Sequence, residues 1–330
     1  MKVAVVILNW NGRLLLEKFL PSVVKFSEDA QIYIADNAST DDSVEFVRKN
    51  FPSIKIIQNQ TNGGYAKGYN DALVNLSEDI YVLLNSDVEV TSNWLTPIIS
   101  EFRKDTSLAA AQPKILDYKQ KTHFEYAGAA GGFVDKYGFP YCRGRIFESL
   151  EEDKGQYDDI QPVFWASGAC LFVRAIDFKQ VGGFDEDYFA HQEEIDLCWR
   201  LQSANKKVIA VGTSKVYHVG GATLGSADPK KTFLNFRNSL FNLFKNVSGP
   251  QVYLTIFIRL CIDGVAGINF IFQGKPKHTL AIVKSHFYFY GTLPKLFKKR
   301  KTFASKKRYF TINSIVFKHF IARYNNYKEL

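Results

Sequence analysis

No C-x-x-C pair occurs in the 330-residue chain, whose four cysteines, Cys142, Cys170, Cys198 and Cys261, lie far apart. That spacing excludes a disulfide framework and a cysteine-rich zinc site, and it fits reduced thiols in a cytoplasmic protein. A dinucleotide fingerprint is also missing, because the first apolar run leads into Asn9-Trp10-Asn11-Gly12 instead of G-x-G-x-x-G. The opening stretch MKVAVVILNWNG is too short for a signal peptide, has no cleavage site and reads as a first β-strand. Internal repeats and low-complexity tracts are lacking. Acids are scarce toward the C-terminus. From Gly274 to Leu330 fourteen Lys or Arg stand against one acid, Glu329, a net of +13. The whole chain carries +9, which leaves −4 for the first 273 residues. A mildly acidic body thus ends in a strongly basic region.

What is abundant is apolar: 46% of residues are hydrophobic and 15% aromatic, enough for one large core or two smaller ones. Strand and helix alternate over the first hundred residues. Val3 to Leu8, Gln31 to Ala35, Ser53 to Gln58 and Asp79 to Leu84 read as strands. Leu14 to Phe26, the segment opened by Ser39, Thr40 and Asp41, and Tyr65 to Asn75 read as helices. This alternation predicts an α/β fold, a mostly parallel sheet flanked by helices, with ligands beyond the carboxyl ends of the strands. After about residue 229 the pattern turns helical, with Phe233, Phe236, Leu240, Leu243 and Phe244 on one face of a helix.

Polar groups gather at the strand ends: Asn9 to Gly12, Asp36 to Ser39, and Asn85-Ser86-Asp87. Each alone is an ordinary strand-ending turn. Together on one rim they suggest a site. Asp36, ending a buried strand, needs a partner such as the hydroxyl or N–H groups of a nucleotide. Asp87 suits a divalent cation that is shared with substrate phosphates. In NGGYAKG, Asn62 and Gly63 open a helix whose N–H groups are placed to approach a phosphate, and Lys67 adds a charge, although a capping turn and a solvated lysine explain the same residues.

A second cluster, FDEDYFAHQEEIDLCWRL, places Glu193 and Glu194 in the first turn of a helix from Gln192 to Leu201. Adjacent residues point about 100° apart, so one glutamate is free to face a cleft and act as a general base. Asp196 and Arg200 read as an ordinary i,i+4 helix pair. His218, before Gly220 and Gly221, and His191, beside the glutamates, are each structural histidines unless their surroundings say otherwise.

The motifs VVILNWNG, ADNASTDDS, NGGYAKGYN, LLNSDVEV, ASGACLFVRA, GGFDEDYFAHQEEIDLCWRL and VYHVGG, in this order over about residues 3 to 245, resemble the family 2 glycosyltransferases. These are inverting enzymes of the GT-A fold, and the likeness is to their bacterial rhamnosyltransferase-like branch. The resemblance implies that Asp87 is the last acid of a D-x-D metal signature holding Mg2+ or Mn2+, with Asn85 in place of the first acid. It further implies that His218 completes the metal–diphosphate site and that Asn9, Asn11, Asp36, Asn62, Gly63, Lys67 and Asn85 bind the nucleotide sugar. The family's E-D pair is Glu193-Glu194 here, which makes Glu194 the base and Glu193 the reserve. Trp165 and Asp185 are assigned to the acceptor side. No Q-x-x-R-W motif of the processive members is present, so a single sugar or a few would be added. The implied donors are UDP-sugars or dTDP-rhamnose, and the implied acceptor is a glycan or a lipid-linked acceptor in surface polysaccharide synthesis. A sugar nucleotidyltransferase and a catalytically inactive nucleotide-sugar-binding scaffold are the alternatives.

The domain reading is 1–229 catalytic, divided into 1–110 and 111–229, followed by a helical basic extension at 230–330. Within it Tyr253 to Phe272 is long enough to span a bilayer, but Arg259 and Asp263 interrupt it. A helix lying in the interface or packed on the body is therefore expected. The aromatic-basic stretch after it suits an anionic membrane surface better than nucleic acid, which places the protein in the cytoplasm, peripheral on the inner face of the plasma membrane.

Overall fold

The computed structural model describes residues 1–220, 228–303, 305 and 307–330. Gly221, one of the two glycines after His218, lies outside the described residues. The chain begins β1 (Val3–Asn9), α1 (Arg13–Phe26), β2 (Gln31–Asp36), α2 (Ser43–Asn50), β3 (Lys55–Gln58), α3 (Gly64–Leu73) and β4 (Ile80–Asn85). Next come β5 (Val88–Val90), α4 (Thr96–Lys104) and β6 (Leu108–Asp117). Four short strands, β7 (Gly132–Val134), β8 (Pro140–Cys142), β9 (Arg145–Ile146) and β10 (Ser149–Leu150), form a small antiparallel sheet of their own. The chain then returns through β11 (Ile160–Pro162), β12 (Cys170–Arg174), α5 (Ala175–Gln180), α6 (Glu193–Ser203) and β13 (Lys207–His218). Three helices close it: α7 (Pro229–Asn246), α8 (Gln251–Phe272) and α9 (Pro276–Phe303).

The main sheet runs in the order β11-β13-β6-β12-β4-β1-β2-β3, with β5 on β13. Its β3-β2-β1-β4 part is parallel, and beyond β4 the pairing is mixed. Alternation along each strand divides the core. Val5, Ile7, Val82 and Leu84 pack with Leu16, Val47 and Phe102 on the face covered by α1, α2 and α4. Ala4, Val6, Tyr81 and Leu83 face Tyr69, Phe178, Leu197 and Phe241 from α3, α5, α6 and α7. Burial on both faces explains why these strands read as unbroken apolar runs.

α7 departs from the one-faced helix read in the sequence. From Arg237 to Asn246 it is buried all round, polar residues included. It lies beyond the 229/230 boundary expected from composition, yet it is built into the body. Arg237, Asn238 and Lys245 are satisfied by loop carbonyls and ion pairs, which offsets the usual cost of burying them.

Candidate active site

Register brings the strand ends together. The β1–β2 ladder sets Asn9 opposite Asp36, and the β1–β4 ladder sets Leu8 opposite Asn85. Asn9 Nδ2 lies 3.3 Å from Asp36 Oδ1 and 3.2 Å from Ser39 Oγ, while the Ser39 N–H donates to Asp36 Oδ2 at 3.1 Å. Asn9 Oδ1 is buried without a hydrogen-bond partner. Such an orphan acceptor at a rim calls for a donor from a ligand or water.

Asp87 stands in the turn between β4 and β5, and antiparallel pairing of β5 with β13 carries His218 to it. His218 Nε2 is 3.1 Å from Asp87 Oδ1, and Nδ1 is 3.2 Å from Glu125 Oε2. Asn85 Nδ2 lies 3.4 Å from the same Nε2. Asp87, His218 and Glu125 are all buried, at 5%, 4% and 4% exposure. Burial opposes a charge on His218, but contacts with Asp87 and Glu125, and their negative charge, prevail and push its pKa up to about 10. The pair therefore holds one positive charge beside a carboxylate.

A divalent cation would compete with the Nε2 proton, and with that proton displaced His218 and Asp87 fit it as ligands. Among the described residues no group of three or more His, Cys, Asp or Glu has metal-binding geometry, so the protein offers two donors, Asp87 and His218. Phosphate oxygens of a substrate would supply others, the usual habit of Mg2+ and Mn2+ sites. Glu125 meets the other ring nitrogen, as outer-shell carboxylates do behind ligating histidines. The sequence reading missed Glu125, because one acid ahead of a glycine-rich loop has no motif.

Residues 185–192 form a loop anchored on α3. The Phe189 carbonyl accepts the N–H groups of Tyr65 at 2.7 Å and Ala66 at 3.3 Å. Phe189, His191 and Gln192 all have positive φ, 62°, 69° and 67°, each a strain of about 1–3 kcal/mol for a residue other than glycine. α7 holds the loop in this shape. The Asn238 amide donates to the carbonyls of Tyr188, Ala190 and His191 at 3.2, 2.9 and 2.6 Å. The Arg237 guanidinium donates to those of Asp187 and Tyr188 at 3.1 and 2.8 Å.

The loop delivers Glu193 and Glu194 at the start of α6. The Oε2 atoms of both are buried without partners. Burial pushes the Glu194 carboxyl up to about 7. Burial, with the charge of Glu194 added, pushes that of Glu193 up as well. Burial and then Lys231 lower His191 to about 4, so it is neutral at neutral pH. A carboxyl of pKa near 7 with one oxygen unpartnered is equipped to take a proton.

Residues 4–152 match the family model described as Glycosyl transferase family 2. N-acetylglucosaminyl-diphospho-decaprenol L-rhamnosyltransferase of Mycobacterium tuberculosis is 28% identical over 222 residues, covering 62% of this chain and 71% of that protein. The region 4–152 of this chain belongs with the family 2 glycosyltransferases. Its likeness is to their rhamnosyltransferase-like branch. In fold it is similar to GalNAc-T7, solved with UDP, GalNAc and Mn2+, at TM-score 0.55 and 18% identity. That match covers 71% of this chain and about half, 48%, of that one. It is also similar to the mannosyltransferase PcManGT of Pyrobaculum calidifontis, solved with GDP-Man and Mn2+, at TM-score 0.53, 13% identity, and 87% and 86% coverage. The architecture is GT-A.

Within this glycosyltransferase several residues expected at the site serve the scaffold. The N–H groups of Tyr65 and Ala66 are taken by Phe189, and that of Gly64 by Asn62 Oδ1 at 3.0 Å. Those three N–H groups are thus engaged within the protein, with Asn62 Oδ1 capping Gly64. Gly64, at φ 78°, lets the loop approach, since a Cβ there would meet the Phe189 carbonyl oxygen at 2.4 Å. Lys67 pairs with Asp71 along α3 at 2.8 Å. Asn11, at φ 50°, ties the β1 and β2 loops together by accepting the Thr40 N–H at 2.7 Å. Trp165 is buried, its indole N–H donating to the Phe133 carbonyl at 3.0 Å. Asp185 is buried between Lys245, at 2.7 Å, and Lys299. Neither Trp165 nor Asp185 is presented to an acceptor. Asp196 and Arg200 form no surface pair either. They are buried 2.8 Å apart, with Lys245 2.6 Å from Asp196.

Proposed function

We propose that this transferase moves one sugar from a nucleoside-diphosphate sugar, a UDP-sugar or dTDP-rhamnose, to a glycan or lipid-linked acceptor, inverting the anomeric centre. The carrying observation is Glu194, a carboxyl of pKa about 7 with Oε2 buried without a partner, at the end of a loop anchored on α3 and braced by α7. Glu194 accepts the proton of an acceptor hydroxyl. That oxygen bonds to the anomeric carbon from the face opposite the bond to the diphosphate, which breaks and leaves as the nucleoside diphosphate. Glu193, more deeply buried, is the reserve base.

Asp36, with Asn9 beside it, accepts hydrogen bonds from the nucleoside, and Asn85 binds toward the ribose. Asp87 and His218 would hold Mg2+ or Mn2+, which when bound offsets the negative charge developing on the departing diphosphate. Two similar folds solved with Mn2+ support this assignment. The name of the mycobacterial relative, with its decaprenol diphosphate, supports a lipid-linked acceptor, which a cytoplasmic enzyme peripheral on the inner membrane face would meet. The test is donor turnover by Glu194→Gln beside Glu194→Asp. Loss of transfer in the Gln variant with unchanged donor binding, and partial activity in the Asp variant, support the assignment. Full activity of the Gln variant removes it.

A further inference from the structure

The face that α8 turns outward is more apolar than the face it buries. Leu254, Phe257, Val265, Ile268 and Phe272 are exposed, with Cys261 among them. The buried side carries Thr255, Arg259 and Asp263. A helix on the surface of a soluble protein has the opposite polarity. The inward charges are bound in place. Arg259 Nε donates to Asp263 Oδ1 at 2.7 Å, and Nη1 donates to the Tyr137 carbonyl at 2.9 Å and to the Ser239 hydroxyl. His286 Nε2 lies 3.2 Å from Asp263 Oδ2. By length and composition α8 is able to cross a membrane. Doing so would tear these bonds and place an ion pair in hydrocarbon.

α9 extends the same surface with exposed Leu280, Val283 and Phe287, and borders it with exposed Lys277 and Lys284. The only acid between Gln251 and Phe303 is the buried, paired Asp263. Lys295 and Lys299 are engaged elsewhere, on Asp187 and Asp185.

We propose that the α8–α9 face docks in the plane of an anionic lipid bilayer, with its apolar side chains among the upper acyl segments and Lys275, Lys277 and Lys284 at the headgroups. Twenty-two residues make a contact about 33 Å long. Charge selects the occupant: a second copy would set lysines against lysines, whereas phosphate headgroups neutralise them. The docking rests on the lipid-linked acceptor only for its purpose, and its evidence is separate.

Cys261 is the one exposed cysteine of the four and lies midway along this face, so an environment-sensitive fluorophore on it reports the contact directly. On vesicles of phosphatidylcholine with phosphatidylglycerol the label should shift to the blue. Lipids brominated about 5–10 Å below the headgroups should quench it best. Val265→Asp with Ile268→Asp should abolish the shift. Lys277→Ala and Lys284→Ala should each weaken vesicle binding roughly fivefold. An unshifted label on vesicles, strongest quenching at the bilayer centre, or a lipid-independent shift that grows with protein concentration would each overturn the proposal. None of these readouts uses sugar transfer, so a failed transferase assignment leaves them interpretable.

Discussion

Glu194 has a pKa matched to its proposed work and a position that costs stability. A base must be ionised, so log kcat/KM is expected to rise with pH and level off above about 7. The stability effect has the opposite sign. Its folded pKa is raised above the usual glutamate value, so the folded state binds the proton more tightly, and stability falls as pH rises from about 4.5 to about 7. Glu194→Gln should therefore be more stable than wild type at pH 8, by on the order of 3 kcal/mol, and unchanged at pH 4. Paired thermal melts at the two pH values check this, and an equal effect at both would contradict it. At the rim, Glu125→Gln should weaken metal affinity about 10–100-fold with little loss of stability, read by titrating Mn2+ in the presence of a nucleoside diphosphate.

At the scale of elements, α7 decides how well the loop leading to Glu194, the proposed base, is shaped. Three loop carbonyls lean on one buried side chain, Asn238, and Phe189, His191 and Gln192 in the same loop hold positive φ. Asn238→Ala should cut kcat by about 10-fold or more, by the misplacement argument, while nucleotide binding at the rim survives. Single-turnover rates beside nucleotide titrations separate the two. The strands were legible in sequence because each is an apolar run ending abruptly in Asn or Asp, as at Asn9, Asp36 and Asn85-Ser86-Asp87. Those ends share a rim by register alone. At the α3 N-terminus the engagement of the Tyr65 and Ala66 N–H groups was not legible, because their acceptor, the Phe189 carbonyl, lies more than a hundred residues away. The burial of Asp196 and Arg200 was equally invisible, since it depends on Lys245 and Asn246 of α7. Local pattern reports periodicity and turns. It does not report which distant element covers a face.

Across the whole molecule, charge and function are segregated. The acidic body carries a nucleotide-type rim, and the basic helices carry an apolar face and brace the loop leading to Glu194 through Lys295 and Lys299. The central claim is that Asp87 and His218, backed by Glu125, form a metal–diphosphate site at the carboxyl ends of the strands. Thermal shift of the purified protein with UDP, dTDP, GDP and CDP, each with and without Mn2+ or Mg2+, beside Asp87→Ala, tests it most directly. One diphosphate should stabilise the wild type only when metal is present, and the effect should vanish in Asp87→Ala. Stabilisation by none of them with metal present, or the same stabilisation in Asp87→Ala, would contradict it.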